Sequence, residues 1–501
     1  MQILTSDQIR AWDEFTIQHE PIASVDLMER AAATCYKWIQ HHFEGKKFSI
    51  FCAKGNNGGD GLAIARMLSA NHSVTVYILE FGHLGTGDFQ VNLARLHQTQ
   101  TAIKFIPTEE NIPTIPSEDI IIDALFGSGL NRPIDGLTAL LVKMINSSPN
   151  EIISIDIPSG LSADNSSKEN VAIQATHTLS FQCYKPAFLM AENELYIGQL
   201  HILDIGLHKN YPDVIDSPNI FIDALIARRV LKARGLFAHK GNFGHALLIA
   251  GSYGKIGAAV LAAKACLRSG IGLLTVHAPG CGNYILQTAV PESMVDTDAH
   301  EKMNTIVTTP LNKYDCIGLG PGMGTSYDTA SLVQNIVSTF KKPLVLDADA
   351  LNILSAHTEL LGRLPALSIL TPHPKEFERL FGKCENDFER VNRAKQKAKE
   401  HNLVIVLKGH HSFIATPREK CYFNSTGNAG MATGGTGDVL TGIITALLGQ
   451  QYSPGDAAVL GVYLHGLAGD FAADQLSQHS LIATDIIDNL SHAFKNITHS
   501  V

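Results

Sequence analysis

Short apolar, β-branched runs alternate with helical patterns from one end of the chain to the other, an alternation that builds an α/β fold and little else. The strand-like runs are almost continuously hydrophobic, the mark of a mostly parallel sheet covered by helices on both faces. In the first part of the chain, strands are predicted at Phe48–Ala53, Val74–Leu79, Ile120–Asp123, Ile152–Ile157 and His177–Phe181, after helices over Asp7–His19 and Leu27–Phe43. Between His208 and Asp223 the pattern gives way to a polar stretch, Lys209-Asn-Tyr-Pro-Asp-Val-Ile-Asp-Ser-Pro218, and a second series begins. Its strands are predicted at His245–Ala250, Leu273–Ala278, Cys316–Leu319, Leu344–Leu346, Leu367–Leu370 and Leu403–Leu407. The closing region reads as helices, Asp438–Leu448 and Asp456–Gln475 among them. Two unequal α/β domains are therefore expected, residues 1–212 and 225–501, with a linker over 213–224.

At 501 residues, 45% apolar and 17% charged, the chain has material for two full cores. Lys and Arg number 39 against 48 Asp and Glu, a net charge of −9 with no local run of cations, so nucleic acid is not expected as a partner. The eight cysteines include no C-x-x-C pair and fall mostly in apolar segments, as core thiols do in a reducing compartment. Met1–Arg10 lacks the basic-then-apolar order of a signal peptide, and Lys264 and Arg268 interrupt the best membrane candidate, around 256–276. A cytoplasmic protein with no membrane partner is the expectation.

Ligands of open α/β sheets sit at the carboxyl ends of strands. Three such ends in the first domain carry unusual residues. Lys54-Gly-Asn-Asn-Gly-Gly-Asp-Gly61 runs from a strand straight into an apolar helix, so its glycines let backbone N–H groups approach an anion. It does not match G-x-G-x-x-G, and a plain NAD fingerprint is not supported. Asp123-Ala-Leu-Phe-Gly-Ser-Gly-Leu-Asn-Arg-Pro133 and Asp156-Ile-Pro-Ser-Gly160 each place a carboxylate where a strand stops. Any one of these makes an ordinary turn; three on one sheet edge favour a site. Converging carboxylate, amide and hydroxyl oxygens suit a hard cation such as potassium or magnesium.

In the second domain the most specific signal is Ala432-Thr-Gly-Gly-Thr-Gly-Asp-Val-Leu-Thr-Gly442. A glycine turn opening an apolar helix presents free N–H groups and the positive end of the helix dipole to a transferring phosphoryl group. Asp438, just behind the glycines, is placed to take a proton from an attacking hydroxyl. Other strand ends carry Gly251-Ser-Tyr-Gly-Lys-Ile-Gly-Ala258, Gly318-Leu-Gly-Pro-Gly-Met-Gly324, Thr371-Pro-His-Pro-Lys-Glu-Phe377 and Lys408-Gly-His-His-Ser412. Asp347 and Asp349 either position magnesium or end a strand, and both readings stay open. His239-Lys240-Gly241 reads as an exposed loop unless it reaches phosphate.

The set GNNGGDG, DALFGSGLNRP and DIPSG, in this order and spacing, resembles the epimerase domain of NAD(P)H-hydrate repair enzymes over residues 1–210, a Rossmann-like three-layer domain. The resemblance implies that Asn56, Asn57, Gly58, Gly59 and Asp60, with Gly127, Ser128, Gly129, Leu130, Asn131, Arg132 and Pro133, hold the hydrated nucleotide. It implies also that Asn57, Asp123 and Ser159 bind potassium and that Asp156 contacts the substrate as an acid/base group. Residues 225–501, with KGHHS, TPHPKEF, GLGPGMG and NAGMATGGTGD, resemble the ADP/ATP-dependent NAD(P)H-hydrate dehydratases, a branch of the ribokinase-like group. That resemblance implies that Ala258, Gly322, His373 and Asp438 meet the hydrated nicotinamide. It places Lys408, Gly409, His410, His411, Ser412 and Gly437 on the adenine nucleotide, and Asp438 as the base at the reacting hydroxyl. His410 and His411 receive no catalytic role, and Ser412 stands where many members have Thr. The expected substrates are NADHX and NADPHX with ADP and magnesium, and a homo-oligomer is expected from the family. The alternative is a ribokinase-like small-molecule kinase with a non-catalytic first domain.

Overall fold

The structure, a computed structural model, describes residues 1–215, 217–418 and 420–499. Asp216 of the expected linker, and Glu419, Ser500 and Val501 of the expected second domain, lie outside the described residues. The chain divides into two compact units, one of Gln2–Ser217 with Asn386–Phe388, the other of Met1, Pro218–Glu385 and Glu389–Val501. Among the described residues no helix is long and apolar enough to cross a membrane.

The first unit is built on seven strands: β1 (Lys47–Cys52), β2 (Val74–Leu79), β3 (Ala102–Ile106), β4 (Asp119–Ala124), β5 (Ile152–Ile155), β6 (His177–Phe181) and β7 (Gln199–Leu203). All neighbours pair in parallel, in the order β3-β2-β1-β4-β5-β6-β7. Successive side chains of a strand face opposite sides, and both sides are apolar here. Ile50, Ile120 and Ile122 pack with Ala32, Cys35 and Ile39 of helix Ser24–His42 and with helix Asn56–Leu68. Phe51, Tyr77 and Ile121 pack on the other face with Leu141, Val142 and Ile145 of helix Gly136–Ser147. Strand order reverses between β1 and β4, which opens a crevice at their carboxyl ends. The register Phe51↔Asp123 and Asp123↔Ser154 brings the ends of β1, β4 and β5 level there.

The second unit carries ten strands: β8 (Asn219–Phe221), β9 (His245–Ile249), β10 (Leu273–Ala278), β11 (Met294–Thr297), β12 (Cys316–Leu319), β13 (Leu344–Leu346), β14 (Ile369–Leu370), β15 (Val404–Leu407), β16 (Phe413–Ala415) and β17 (Cys421–Phe423). Their order is β11-β10-β9-β12-β13-β14-β15-β16-β17-β8, antiparallel only where β16 meets β15 and β17. The stretch expected as a linker thus contributes the edge strand β8, paired in parallel with β17. Ala246 and Leu248 face helices Ile256–Arg268 and Thr436–Gly449, while Leu247 and Ile249 face Val333, Ile336 and Val337 of helix Tyr327–Thr339. Here the order reverses between β9 and β12, and the loops after β9, β12, β13, β14 and β15 gather along one edge.

Candidate active sites

In the first unit, β1 runs through Lys54 and Gly55 into helix Asn56–Leu68, whose cap Gly55 offers no side chain to the open N–H groups of the first turn. A Cβ on Gly58 would lie 1.7 Å from the Ala53 carbonyl oxygen, so only glycine lets the helix start this close to the strand. The turn delivers Asn57, which is 7% exposed, with neither its amide nitrogen nor its amide oxygen hydrogen-bonded. A buried amide left unpaired on both atoms is costly, and points to a ligand.

Asn57, Asp60, Gly127–Asn131 and Asp156 line one cavity of about 460 Å³ at the β1/β4 crevice, with Arg10 and Asp13 of helix Ser6–His19. A second cavity of about 440 Å³ shares the 128–131 loop and adds Arg132 and Pro133. Asp156 lies in the left-handed region, φ 69°, where a residue other than glycine is strained. It is held there by Lys185, fully buried, with Nζ 2.8 Å from Oδ1, and by Ser128 N–H donating to Oδ2 at 2.8 Å. Burial works to raise the Asp156 carboxyl, but Lys185 and Ser128 outweigh it and hold the group below its ordinary range. Burial and the charge of Asp156 push the other two carboxyls up, Asp13 to about 7 and Asp60 well above its ordinary range.

Asp123 is fully buried and accepts four hydrogen bonds: from Leu125 N–H and Ser159 O–H on Oδ1, and from Ser154 O–H and Ser159 N–H on Oδ2. Burial raises it even so. Ser159 Oγ also accepts from Phe126 N–H at 2.8 Å. Asp123 and Ser159 are therefore directly bonded, while the Asn57 amide bonds to neither. As a donor set for potassium the three residues supply only hard oxygens, one of them the orphaned Asn57 Oδ1, and one net negative charge.

In the second unit, Gly435 caps helix Thr436–Gly449 in the left-handed region at φ 92° with no side-chain cap, leaving the first-turn N–H groups of Thr436 and Gly437 open. His465 donates from Nε2 to the Thr436 carbonyl at 3.0 Å and braces that turn; burial drives its imidazole down to about 4, so it stays neutral. Asp438 follows. Burial and the charge of Asp347, against the pull of Lys408, push its carboxyl up to about 6. Lys408 Nζ, at the end of β15, lies 2.7 Å from Asp347 Oδ1 and 3.9 Å from Glu376 Oε2. Burial opposes its charge, but these carboxylates with Asp438 keep the ammonium raised. Gly437 sits against this pair: a Cβ there would lie 3.5 Å from Lys408 Nζ and 3.6 Å from Asp347 Oδ2.

Asp347 also accepts from Thr441 O–H at 2.7 Å, so both its oxygens are engaged within the protein. Asp349 accepts Gly324 N–H at 2.8 Å and anchors the glycine loop after β12. Among the described residues no group of three or more His, Cys, Asp and Glu is arranged to hold a metal ion. Gly322 and Ala258 abut, since a Cβ on Gly322 would fall 3.0 Å from that of Ala258. His373 caps helix Pro374–Phe381 through Nδ1, which leaves its proton on Nε2, and burial lowers its basicity. Gly409 and Ser412 close the turn between β15 and β16, Ser412 O–H donating to Gly409 O at 3.1 Å. His411 turns inward to the Asn424 carbonyl, 2.9 Å away, and is held neutral with its basicity cut to about 4 by burial.

The structure thus gathers Lys408 and Gly437 with Asp347, Glu376 and Asp438, sets His373 beside Lys408 and Glu376, and brings Ala258 to Gly322, while His411 bonds the Asn424 carbonyl. Arg10, Asp13, Lys185, Glu376 and His465 were not singled out from the sequence. Glu376 alone lay inside a quoted motif.

Two family models match: one described as YjeF-related protein N-terminus over residues 24–187, one described as NAD(P)H-hydrate dehydratase over 246–492. A protein of Moorella thermoacetica named bifunctional NAD(P)H-hydrate repair enzyme is 35% identical, the match covering 100% of this chain and 98% of that one. An Escherichia coli protein of the same name is 32% identical over 97% of this chain and 92% of its own. Among solved structures, a ribokinase-like superfamily protein from Enterococcus faecalis aligns at 28% identity and a TM-score of 0.50, covering 56% of this chain and 98% of that one.

Proposed function

The chain belongs to the bifunctional NAD(P)H-hydrate repair enzymes, and from that premise we propose that its first unit interconverts (R)- and (S)-NAD(P)HX while its second returns the S epimer to NAD(P)H at the expense of ADP. The observation that carries the reading is Asp438, a carboxyl poised at about 6 at the mouth of an uncapped glycine turn. A base is most useful when its proton affinity lies near the working pH.

Asp438 takes the proton of the 6-hydroxyl as that oxygen attacks the terminal phosphoryl group, and AMP leaves. The open N–H groups of Thr436 and Gly437 face the charge that develops on the phosphoryl oxygens. Lys408 is held by Asp347 and Glu376 at the same place, a fixed cation for that charge. The ring nitrogen's lone pair then expels phosphate from carbon 6, and loss of a carbon 5 proton completes the dihydronicotinamide. Magnesium, borne on the nucleotide, would neutralise phosphate charge.

In the first unit the nicotinamide half fits the cavity holding Asn57 and Asp156, and Arg10 and Arg132 flank the adjoining cavity as cations for the pyrophosphate. Potassium would be held by Asn57, Asp123 and Ser159, supplying positive charge beside the substrate's oxygens.

The test is to supply purified (S)-NADHX with magnesium and ADP, or ATP, and follow near-ultraviolet absorbance and phosphate release together. NADH and free phosphate in equal amounts are expected. A stable phosphorylated product without NADH would instead make the second unit a kinase.

A further inference from the structure

Epimerisation at ring carbon 6 needs a proton delivered as well as one removed. Asp156, kept ionised, is free to accept one. Lys185 at 2.8 Å and the Ser128 N–H at 2.8 Å hold it ionised, and the same contacts make it a poor donor.

Asp13, on helix Ser6–His19, lines the same cavity of about 460 Å³ as Asn57, Asp60 and Asp156. Among the described residues its carboxylate has no hydrogen-bond donor and no ion pair. An unpaired Asp on a helix is ordinarily solvated; this one lines a cavity. The buried Asn57 amide, unpaired on both atoms, is an independent sign that the cavity takes a polar ligand. The charges around Asp13 are Arg10 and Glu14 on its own helix, Asp60 from helix Asn56–Leu68, and Asp156 with Lys185.

We propose that Asp13 is the general acid of the epimerisation, working with Asp156 as its base; the inference rests on the epimerase reading above. Asp156 takes the proton of the 6-hydroxyl, the oxygen's electron pair forms the C6 carbonyl, the N1–C6 bond breaks, and N1 receives the proton of Asp13. Rotation about C5–C6 presents the other carbonyl face. N1 adds back and returns its proton to Asp13, and Asp156 returns its proton to the oxygen. Both carboxyls end as they began, nothing is oxidised or reduced, and no further reactant is consumed. Burial and the Asp156 charge, against Lys185, push Asp13 up to about 7, so it carries a proton on the acid side of neutrality and can still release it.

The experiment uses the full chain with separated (R)- and (S)-NADHX, and epimer exchange is measured above the uncatalysed background from pH 5 to 9. For the wild type, exchange should fall as pH rises through about 7, where Asp13 loses its proton. Asp13→Asn should lower exchange by roughly 10²- to 10⁴-fold and erase that limb. NADH formation from the S epimer by the same preparation should stay unchanged, and a denaturant unfolding curve followed by Trp12 and Trp38 emission that matches the wild type's reports a folded first unit. Asp13→Glu should recover part of the rate, and Asp13→Ser carries the same expectation as Asn should that variant not fold. Exchange at the wild-type rate with the limb intact in Asp13→Asn or Asp13→Ser overturns the role of Asp13 alone. A wild-type chain that exchanges no epimers overturns the epimerase reading itself, and Asp13 with it.

Discussion

Replacing Asp438 with Asn lowers NADH formation from the S epimer by on the order of 10²- to 10⁴-fold while leaving epimer exchange unaltered. Asn keeps the size of the side chain and cannot take the hydroxyl proton. In the wild type the rate should rise with pH through about 6, because the ionised carboxylate is the active form. That limb should vanish in the variant. Stability should not suffer. A carboxyl whose affinity for protons is raised on folding costs stability once pH climbs past its ordinary range, so at neutral pH the neutral amide removes a strain. Burial and the charge of Asp347 are its source. A thermal melt at least as high as the wild type's, alongside lost turnover, separates a catalytic role from a structural one. A variant that melts early would assign Asp438 to the fold instead.

The largest effect on stability is expected from Lys185→Met. Lys185 is fully buried and pairs Asp156 at 2.8 Å, so the substitution leaves a carboxylate inside the first unit with no cation. Breaking a buried pair from one side costs ~3–5 kcal/mol. The chain's two tryptophans, Trp12 and Trp38, both lie in this unit, and denaturant unfolding followed by their emission reads it selectively. Asp156→Asn added to Lys185→Met should recover most of the loss, since removing both charges leaves neither stranded and Asn tolerates the left-handed backbone of position 156. The sign with pH follows from Asp156 being held below its ordinary range. The pair's contribution is complete above that range and fades as pH falls through the lowered value. The deficit of Lys185→Met should therefore shrink in acid.

The strands legible in the sequence are those buried on both faces. Ile120–Asp123, Cys316–Leu319 and Leu344–Leu346 read as unbroken apolar runs because helices cover them twice. The unforeseen ones lie mostly towards the sheet edges. β3, Ala-Ile-Lys-Phe-Ile, buries only its last residue, and β7 and β11 are half-exposed, so neither continuous nor alternating hydrophobicity marks them. β8 is three residues long and hidden in a polar, Pro-containing stretch. Its pairing with β17 joins residues some two hundred positions apart, which no local pattern encodes.

The same logic divides the sites. Gly58, Asp156 and Asp438 stand at strand ends or helix starts, where glycines and carboxylates are conspicuous. Asp13 sits within an ordinary amphipathic helix, Ser-Asp-Gln-Ile-Arg-Ala-Trp-Asp, and looks like a solvent-facing residue until that helix comes to border the β1/β4 crevice. Lys185 occupies Cys-Tyr-Lys-Pro-Ala-Phe-Leu; a lysine in an apolar run gives no sign whether its ammonium snorkels out or meets a buried carboxylate. His465 lies on helix Pro454–Gln475, one more residue of a core helix until its contact with Thr436 is seen.

The central claim is that one chain repairs both epimers through two separate sites. It is tested most directly by supplying an unequal, assayed mixture of (R)- and (S)-NADHX with magnesium and ADP and following dihydronicotinamide absorbance to its end point, faster than the epimers interconvert unaided. The predicted result is recovery of NADH from the whole mixture, in an initial phase matching the S share and a second phase that draws on the R share. An end point fixed at the S share would contradict it, leaving a dehydratase joined to a domain that does not epimerise.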